Sequence, residues 1–160
     1  MKNEKTHLIS QLNRETRAGI YHLVLRLPRA RRLRAGKLAL KSYPSGYYVY
    51  TGSARRGLAM RILRHLRKEK TRHWHIDWLT QVARIEEIWV NVHPKSAECE
   101  CHQRVIALPG ARTLIPRFGS SDCRCPSHLA YFQWKPELRG VGFQSTRGKR
   151  HRRFGIPPQP

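Results

Sequence analysis

The chain has 160 residues, of which 32 are Lys or Arg and 10 are Asp or Glu, so its formal net charge is +22. The length suits one domain with short tails, and an apolar fraction of 39% is enough for a modest core. These values argue against a large multidomain enzyme and against a chain that is disordered throughout. So large an excess of positive charge favours an anionic partner, and nucleic acid is the first candidate.

The sequence predicts a cytoplasmic protein that does not associate with membranes. The basic start is not followed by an apolar run of signal-peptide length. No stretch approaches the ~20 apolar residues that a membrane-spanning helix needs. The four cysteines, at positions 99, 101, 123 and 125, are therefore not expected to form disulfides.

The first part of the chain predicts a series of β-strands. Residues 1–17 are polar and charged and are interpreted as an N-terminal arm. Residues 19–27 alternate apolar and polar side chains, as in a partly two-sided strand. A run of arginines follows, with room for a short second strand within 33–40. The aromatic and β-branched residues of 46–52 predict the next strand.

The pattern then changes to the period of a helix. Leucine and isoleucine recur at helical spacing in 57–70, beside a basic face, and 73–79 suits a second, short helix. Residues 84–92 alternate as a third strong strand, and a third helix follows Pro94 over 95–108. This order predicts the α+β class, with helices packed on a small mixed sheet.

The last third of the chain predicts a loop and a tail. Residues 110–134 are rich in loop-forming residues and centre on 119–129, which we expect to close over one face of the domain. Beyond Pro136 the composition shifts to Gly, Pro and Arg. The predicted organisation is thus an arm at 1–17, one domain at 18–134, and a basic, mobile tail at 135–160.

Two tripeptides and one helix resemble the motifs of the GIY-YIG nuclease superfamily. Gly-Ile-Tyr ends at Tyr21 on the first strand, and Tyr-Thr-Gly begins at Tyr50 on a later strand. Arg61 on the next helix, with His65 one turn further on, resembles that family's catalytic arginine and the histidine that often follows it. The chain departs from the family in the 28 residues between the two tyrosines and in Thr51, where isoleucine is usual.

The chain is more similar still to one branch of that superfamily. The branch shares a Gly-Tyr-x-x-Tyr-x-Gly-Ser-Ala strand, a His-Trp-His-Ile-Asp segment and a Ser-Asp-Cys-x-Cys-x-Ser-His ending, found here at 46–54, 73–77 and 121–128. Some of its members are fused to endonuclease III-type DNA-repair glycosylases. The resemblance, over about residues 18–132, implies an α/β sandwich: a small, mostly antiparallel three-stranded central sheet flanked by helices. It also implies a metal-dependent endonuclease, with DNA favoured over RNA as substrate and a DNA-repair protein as a partner.

The chemistry of phosphodiester hydrolysis suggests roles for these residues. The reaction needs a base for the attacking water, positive charge on the phosphate, and help for the leaving oxygen. Tyr21 or Tyr50 can act as the base, because nearby cations favour loss of a phenol proton. Arg61 can hold phosphate oxygens with its planar guanidinium, and His65 can bind phosphate or relay a proton.

The resemblance implies that one glutamate on a later helix holds the metal ion, Mg²⁺ or Mn²⁺. Glu98 and Glu100 are the candidates, and on a helix they point about 200° apart, so only one of them can enter the site. Glu98 is favoured because it directly precedes a cysteine, as in the closer branch, and Glu100 remains an alternative. The competing interpretation of Glu98 is a structural one, in which it stabilises the start of its helix.

Basic residues on and around the first helix are expected to guide the nucleic-acid backbone. They are Arg55, Arg56, Arg64, Lys68, Arg72, His73 and His75. For the segment 73–77, tryptophan packing and phosphate contact are favoured over a metal site between His73 and Asp77. The main alternative for the whole chain is a non-catalytic nucleic-acid-binding module that retains the fold. A third is a structural domain that binds an acidic protein or ribosomal RNA.

A zinc site is a further hypothesis, at Cys123, Cys125 and His128, with Cys99 and Cys101 upstream. Structural zinc sites usually separate paired cysteines by two to four residues, and here only one residue lies between them. The favoured interpretation is therefore a packed loop without a metal ion.

Overall fold

The fold is described from a computed structural model, which covers residues 18–91 and 97–139 and the backbone of residues 152–155. The strands are β1 (Gly19–Leu27), β2 (Arg31–Leu33), β3 (Lys41–Tyr43), β4 (Gly46–Ala54), β5 (Arg84–Asn91), β6 (Leu129–Phe132) and β7 (Arg152–Gly155). The helices are α1 (Leu58–Leu66), α2 (His75–Val82) and α3 (Glu98–Ile106).

The centre of the domain is an antiparallel sheet with the strand order β6-β4-β1-β5-β7. The predicted α+β class is confirmed, and the three strands predicted at its centre are the neighbours β4, β1 and β5. In the pairing of β1 with β4, Tyr21 lies opposite Gly52 and Leu23 opposite Tyr50. Because side chains alternate along a strand, this register places both tyrosines on the same face of the sheet.

The sheet is wider than the sequence indicated. Strand β6 lies in the region predicted as loop; all four of its residues are buried, so it shows no alternation that could reveal a strand. The expected short strand within 33–40 is replaced by a hairpin, β2 paired with β3, which takes up the long connection between the two tyrosines.

At the other edge, β7 pairs with β5 from within the predicted tail. The predicted arm at 1–17, and the tail positions 140–151 and 156–160, lie outside the described residues.

Helices pack on both faces of the sheet. On one face, the cluster that contains Tyr21, Tyr50 and the leucines of β1 meets α1 and α2. On the other face, Val24 and Val49 meet Val105 of α3. Helices α1 and α3 thus pack on opposite faces of the tyrosine strands. In the described part of the chain, no helix is long and apolar enough to cross a membrane.

Candidate active site and metal-binding cluster

Two buried tyrosines form the floor of the candidate site. Tyr21 on β1 and Tyr50 on β4 have ring centroids 6.3 Å apart. Gly52 is required beside them, because a Cβ at this position would lie 2.5 Å from the Tyr21 hydroxyl oxygen. Gly119 of the closing loop is constrained in the same way, with a φ of +71° and an added Cβ 2.8 Å from the Tyr50 ring. Both glycines let backbone approach the tyrosine rings.

His65 of α1 is hydrogen-bonded to the first tyrosine. The Tyr21 hydroxyl lies 2.8 Å from His65 Nε2. Burial lowers the pKa of His65, more than its contact with Asp77 raises it, so the imidazole is neutral at neutral pH. On the far side of the ring, His65 Nδ1 is 3.8 Å from Asp77 Oδ1, which is too long for a hydrogen bond. We assign the single ring proton to Nδ1, where it faces this carboxylate, so that the Tyr21 hydroxyl donates to Nε2.

Asp77 of α2 is a buried anchor for this corner of the domain. Its two carboxylate oxygens each accept an Arg64 guanidinium N–H at 2.9 Å. Oδ2 also accepts the backbone N–H groups of His73, at 2.8 Å, and Trp74, at 3.0 Å, and so caps the start of α2. Burial alone would raise the pKa of Asp77, but the neighbouring His65 imidazole, together with hydrogen bonds from Arg64 and the two backbone amides, outweighs burial, and the pKa lies well below its usual range.

Arg61 is held by an aromatic ring rather than by an acid. Its guanidinium carbon lies 4.1 Å from the Trp74 ring centroid, and that of Arg64 lies 4.3 Å from the same centroid. Within the described residues the Arg61 guanidinium makes no hydrogen bond, so its donors are available to a ligand. The charge of Arg61 also acts on the tyrosine pair, because it lowers the pKa of both Tyr21 and Tyr50.

The protonation state of the tyrosines differs from the expectation. Burial raises the pKa of Tyr21 and of Tyr50 far more than Arg61 lowers it, and the negative charge of Glu98 raises both further. The expectation that neighbouring cations dominate was wrong, because the hydroxyls lie inside the core. Neither tyrosine is a phenolate at neutral pH.

Glu98, the first residue of α3, is the glutamate that the structure brings to the tyrosines. It is half-buried, and its carboxylate accepts hydrogen bonds from the Ser53 hydroxyl and from His128 Nδ1, the latter at 2.7 Å. Glu100, two residues further along, is exposed. The two glutamates thus point in different directions, as their spacing on a helix requires.

A cluster of metal-ligating side chains adjoins Glu98. One ligand atom from each of Cys99, Cys123, Cys125 and His128 lies within 4.8 Å of the other three. His128 Nε2 is 3.5 Å from the Cys123 sulfur and 3.7 Å from the Cys99 sulfur. All three cysteines are free thiols. These four residues, hereafter the Cys₃His cluster, can hold a metal ion.

The sequence indicated only three members of this cluster. The prediction includes Cys99 only as an upstream cysteine, because its contribution depends on the packing of α3 against the closing loop. The available signal was the repetition of Cys-x-Cys, at 99–101 and at 123–125. Cys101 does not join the cluster and is buried separately.

The threonine in the second tyrosine motif has a structural explanation. Thr51 faces the opposite side of the sheet from Tyr50, and its hydroxyl oxygen lies 3.0 Å from the Nδ1 atoms of both His22 and His102. Burial lowers the pKa of His22 to about 3 and that of His102 to about 4, so both rings are neutral. A hydroxyl is needed between two buried imidazoles, and isoleucine would leave them without this partner.

A family model described as "Domain of unknown function DUF123" matches residues 20–151. The chain belongs to the DUF123 family. The match spans the tyrosine strands, α1 and the Cys₃His cluster. Comparison with curated proteins and with solved structures gives no match in either. The family description carries no activity, so the function must be inferred from the site.

The basic residues predicted to contact nucleic acid fall into two groups in this DUF123 domain. Arg55, Arg56, Arg72 and His73 are exposed near the site. The other three make internal contacts. Arg64 is paired with Asp77, the Lys68 amine donates to the Thr80 carbonyl at 2.9 Å, and His75 Nδ1 accepts the Gly119 N–H at 3.0 Å.

Proposed function

We propose that this DUF123 protein is a metal-dependent endonuclease that hydrolyses phosphodiester bonds of nucleic acid. One observation carries the proposal: the Tyr21–His65 hydrogen bond lies where the charges of both Arg61 and Glu98 act on the tyrosine hydroxyl. A hydrogen-bonded tyrosine, a cation and a carboxylate therefore act electrostatically on one another, and these are the groups that the hydrolysis requires. The resemblance to GIY-YIG nucleases supports the same assignment.

In this proposal Tyr21 is the general base and His65 receives its proton. A buried tyrosine with a raised pKa is a poor base alone, but its hydroxyl already donates to a neutral imidazole at 2.8 Å. As Tyr21 takes a proton from the attacking water, its own proton passes to His65 Nε2. The Asp77 carboxylate, 3.8 Å from Nδ1, favours the imidazolium that forms. Tyr50 packs against this pair.

Arg61 is the proposed phosphate ligand. Its guanidinium is oriented by Trp74 and retains its hydrogen-bond donors within the described part of the chain. A planar guanidinium can donate two parallel hydrogen bonds to the oxygens of one phosphate. Arg61 would thus neutralise the charge that develops on the phosphate while water attacks.

Glu98 suits a hard divalent cation such as Mg²⁺ or Mn²⁺. Each of its oxygens accepts one hydrogen bond and retains a further lone pair, and Mg²⁺ commonly takes one or two carboxylates together with water. When bound, the ion would supply positive charge that stabilises the leaving oxygen. The Cys₃His cluster has softer donors that suit zinc, which would be a second, structural ion without a part in the hydrolysis.

DNA is the proposed substrate. A net charge of +22 favours a polyanion, and exposed Arg55, Arg56 and Arg72 lie near the site. The resemblance to a branch fused to DNA-repair glycosylases favours DNA over RNA and a role in repair. An RNA substrate would use the same site.

The test is a nicking assay on supercoiled plasmid and on labelled DNA and RNA duplexes, with Mg²⁺. We expect cleavage by the wild type and a loss of about 10²- to 10³-fold in rate for Arg61→Ala. Arg67→Ala is the matched control, because Arg67 is exposed at the end of the same helix and the variant loses the same charge. Binding of all substrates without cleavage of any would overturn the nuclease and favour the non-catalytic binding module.

A further inference from the structure

The Cys₃His cluster has the composition and the spacing of a zinc site. Three thiolates and one imidazole are a common donor set for structural zinc. Bond lengths of about 2.3 Å to sulfur and about 2.1 Å to nitrogen, in a tetrahedron, place ligand atoms roughly 3.6 Å apart. His128 Nε2 lies 3.5 Å from the Cys123 sulfur and 3.7 Å from the Cys99 sulfur. These two distances are already near the separation that a tetrahedral ion imposes, and all four ligand atoms lie within 4.8 Å of one another.

Hydrogen bonding alone explains this convergence poorly. The Cys99 and Cys123 thiols both lie within hydrogen-bonding distance of His128 Nε2, and the Cys125 sulfur lies within 4.8 Å, while the other nitrogen of His128 is 2.7 Å from Glu98. Thiols are weak donors, and a single Nε2 lone pair cannot serve two of them well. A single metal ion would accept one lone pair from each of the four groups.

The cluster also connects separate parts of the fold. Cys99 lies in the first turn of α3, and Cys123 and Cys125 lie in the closing loop at 119–129. His128 precedes β6, and its carbonyl accepts the backbone N–H of Thr51 at 3.0 Å. An ion here would fasten the closing loop to both α3 and the central sheet.

One ligand faces the proposed active site with its other nitrogen. His128 presents Nε2 to the thiols and donates from Nδ1 to Glu98 Oε1. Metal-bound histidines commonly donate their second N–H to a carboxylate. This hydrogen bond fixes the orientation of the ring and also holds the carboxylate in place. With the Ser53 hydroxyl on its other oxygen, Glu98 is held from two sides.

We infer that Cys99, Cys123, Cys125 and His128 bind one zinc ion, and that zinc-bound His128 orients the Glu98 carboxylate. His128 is then a positioning residue for the carboxylate that would hold Mg²⁺. Only this last consequence rests on the proposed function. The zinc site and the coupling to Glu98 stand on the contacts themselves.

The site is tested by metal content. Elemental analysis of the wild type, purified without chelator or added metal, should give about one zinc per chain. Replacing zinc with Co²⁺ should give the visible absorption of a tetrahedral site with thiolate ligands. Cys125→Ser and Cys99→Ser should lose the ion, and Cys101→Ser, which changes a buried cysteine outside the cluster, should keep it. A wild type that takes up neither zinc nor Co²⁺ would overturn the site, whatever the variants do.

The coupling is tested by zinc affinity, measured by competition with a chromophoric chelator. Glu98→Gln should weaken zinc binding about 10- to 100-fold and shift the Co²⁺ absorption, because the hydrogen bond to His128 loses its charge. Glu100→Gln, two residues along and exposed, should bind zinc like the wild type. Equal affinity for all three proteins would refute the coupling. Since this measurement needs no cleavage, its result is independent of whether the protein is a nuclease.

Discussion

Replacement of Asp77 by asparagine should destabilise the domain strongly. Asp77 is fully buried, and its carboxylate accepts two N–H groups of Arg64 at 2.9 Å and two backbone N–H groups. Asparagine keeps one acceptor oxygen, so its amide NH₂ must face a guanidinium donor in the core. Removing one partner of a buried ion pair costs about 3–5 kcal/mol. The Arg64 side chain is 25% exposed and can be rehydrated, which favours the low end, about 3 kcal/mol.

The effect of pH on this loss follows from the depressed pKa of Asp77. Its folded pKa lies below the ordinary carboxyl value of 3.8, so the stabilisation is fully present above pH 3.8. It is lost as the pH falls from there through the folded pKa. The difference between wild type and Asp77→Asn should therefore be constant near neutral pH and shrink in acid.

Urea denaturation followed by circular dichroism measures both effects, as free energies of unfolding at several pH values. Glu86→Gln is the control, because Glu86 pairs with Arg84 at 3.2 Å and Lys135 at 3.4 Å, both of them exposed. Such a surface network should contribute less than about 1 kcal/mol. An Asp77→Asn loss as small as that of the control, or one that persists unchanged in acid, would refute the reasoning.

Three further substitutions test neighbouring parts of the site. Tyr21→Phe keeps the ring but removes the base, so the rate of single-turnover cleavage should fall about 10²- to 10⁴-fold. The far-ultraviolet circular dichroism should not change, and a variant that cleaves at the wild-type rate would contradict the role of the hydroxyl. Gly52→Ala puts a Cβ 2.5 Å from that hydroxyl and should cost about 1–3 kcal/mol in urea denaturation, as well as activity, because the tyrosine must move. Thr51→Val keeps the shape but deprives two buried imidazoles of a partner, with an expected loss of about 1–3 kcal/mol. Unaltered unfolding free energies would contradict the last two.

Local pattern was sufficient for the elements that carry the candidate site. Strand alternation predicts β1 and β5, aromatic and β-branched composition predicts β4, and helical spacing predicts α1 with Arg61 and His65. These signals depend on residues that are close in sequence, so the elements can be predicted without knowledge of the tertiary fold. The preference for Glu98 over Glu100 rests on the resemblance and stays a prediction; in the structure the Glu98 carboxylate accepts a hydrogen bond from Ser53, the residue after Gly52.

Features that depend on distant packing could not be predicted. Strand β6 is buried at every position and so lacks the alternation of apolar and polar residues that would predict a strand. Cys99 reaches Cys123 and Cys125 only because α3 packs beside the closing loop, and the short Cys-x-Cys spacing argued against a metal site. The pKa of Tyr21 depends on its burial, which a charge count near the motif does not reveal. Each of these is a tertiary property.

The most direct test of the proposed nuclease is the Mg²⁺ dependence of single-turnover cleavage by the wild type, Glu98→Gln and Glu100→Gln. We predict a wild-type rate that rises with Mg²⁺ and saturates. Glu98→Gln should reduce this rate by about 10²-fold or more, and Glu100→Gln should leave it unchanged. A wild-type rate that does not depend on Mg²⁺, or equal losses for the two variants, would contradict a metal-dependent site at Glu98.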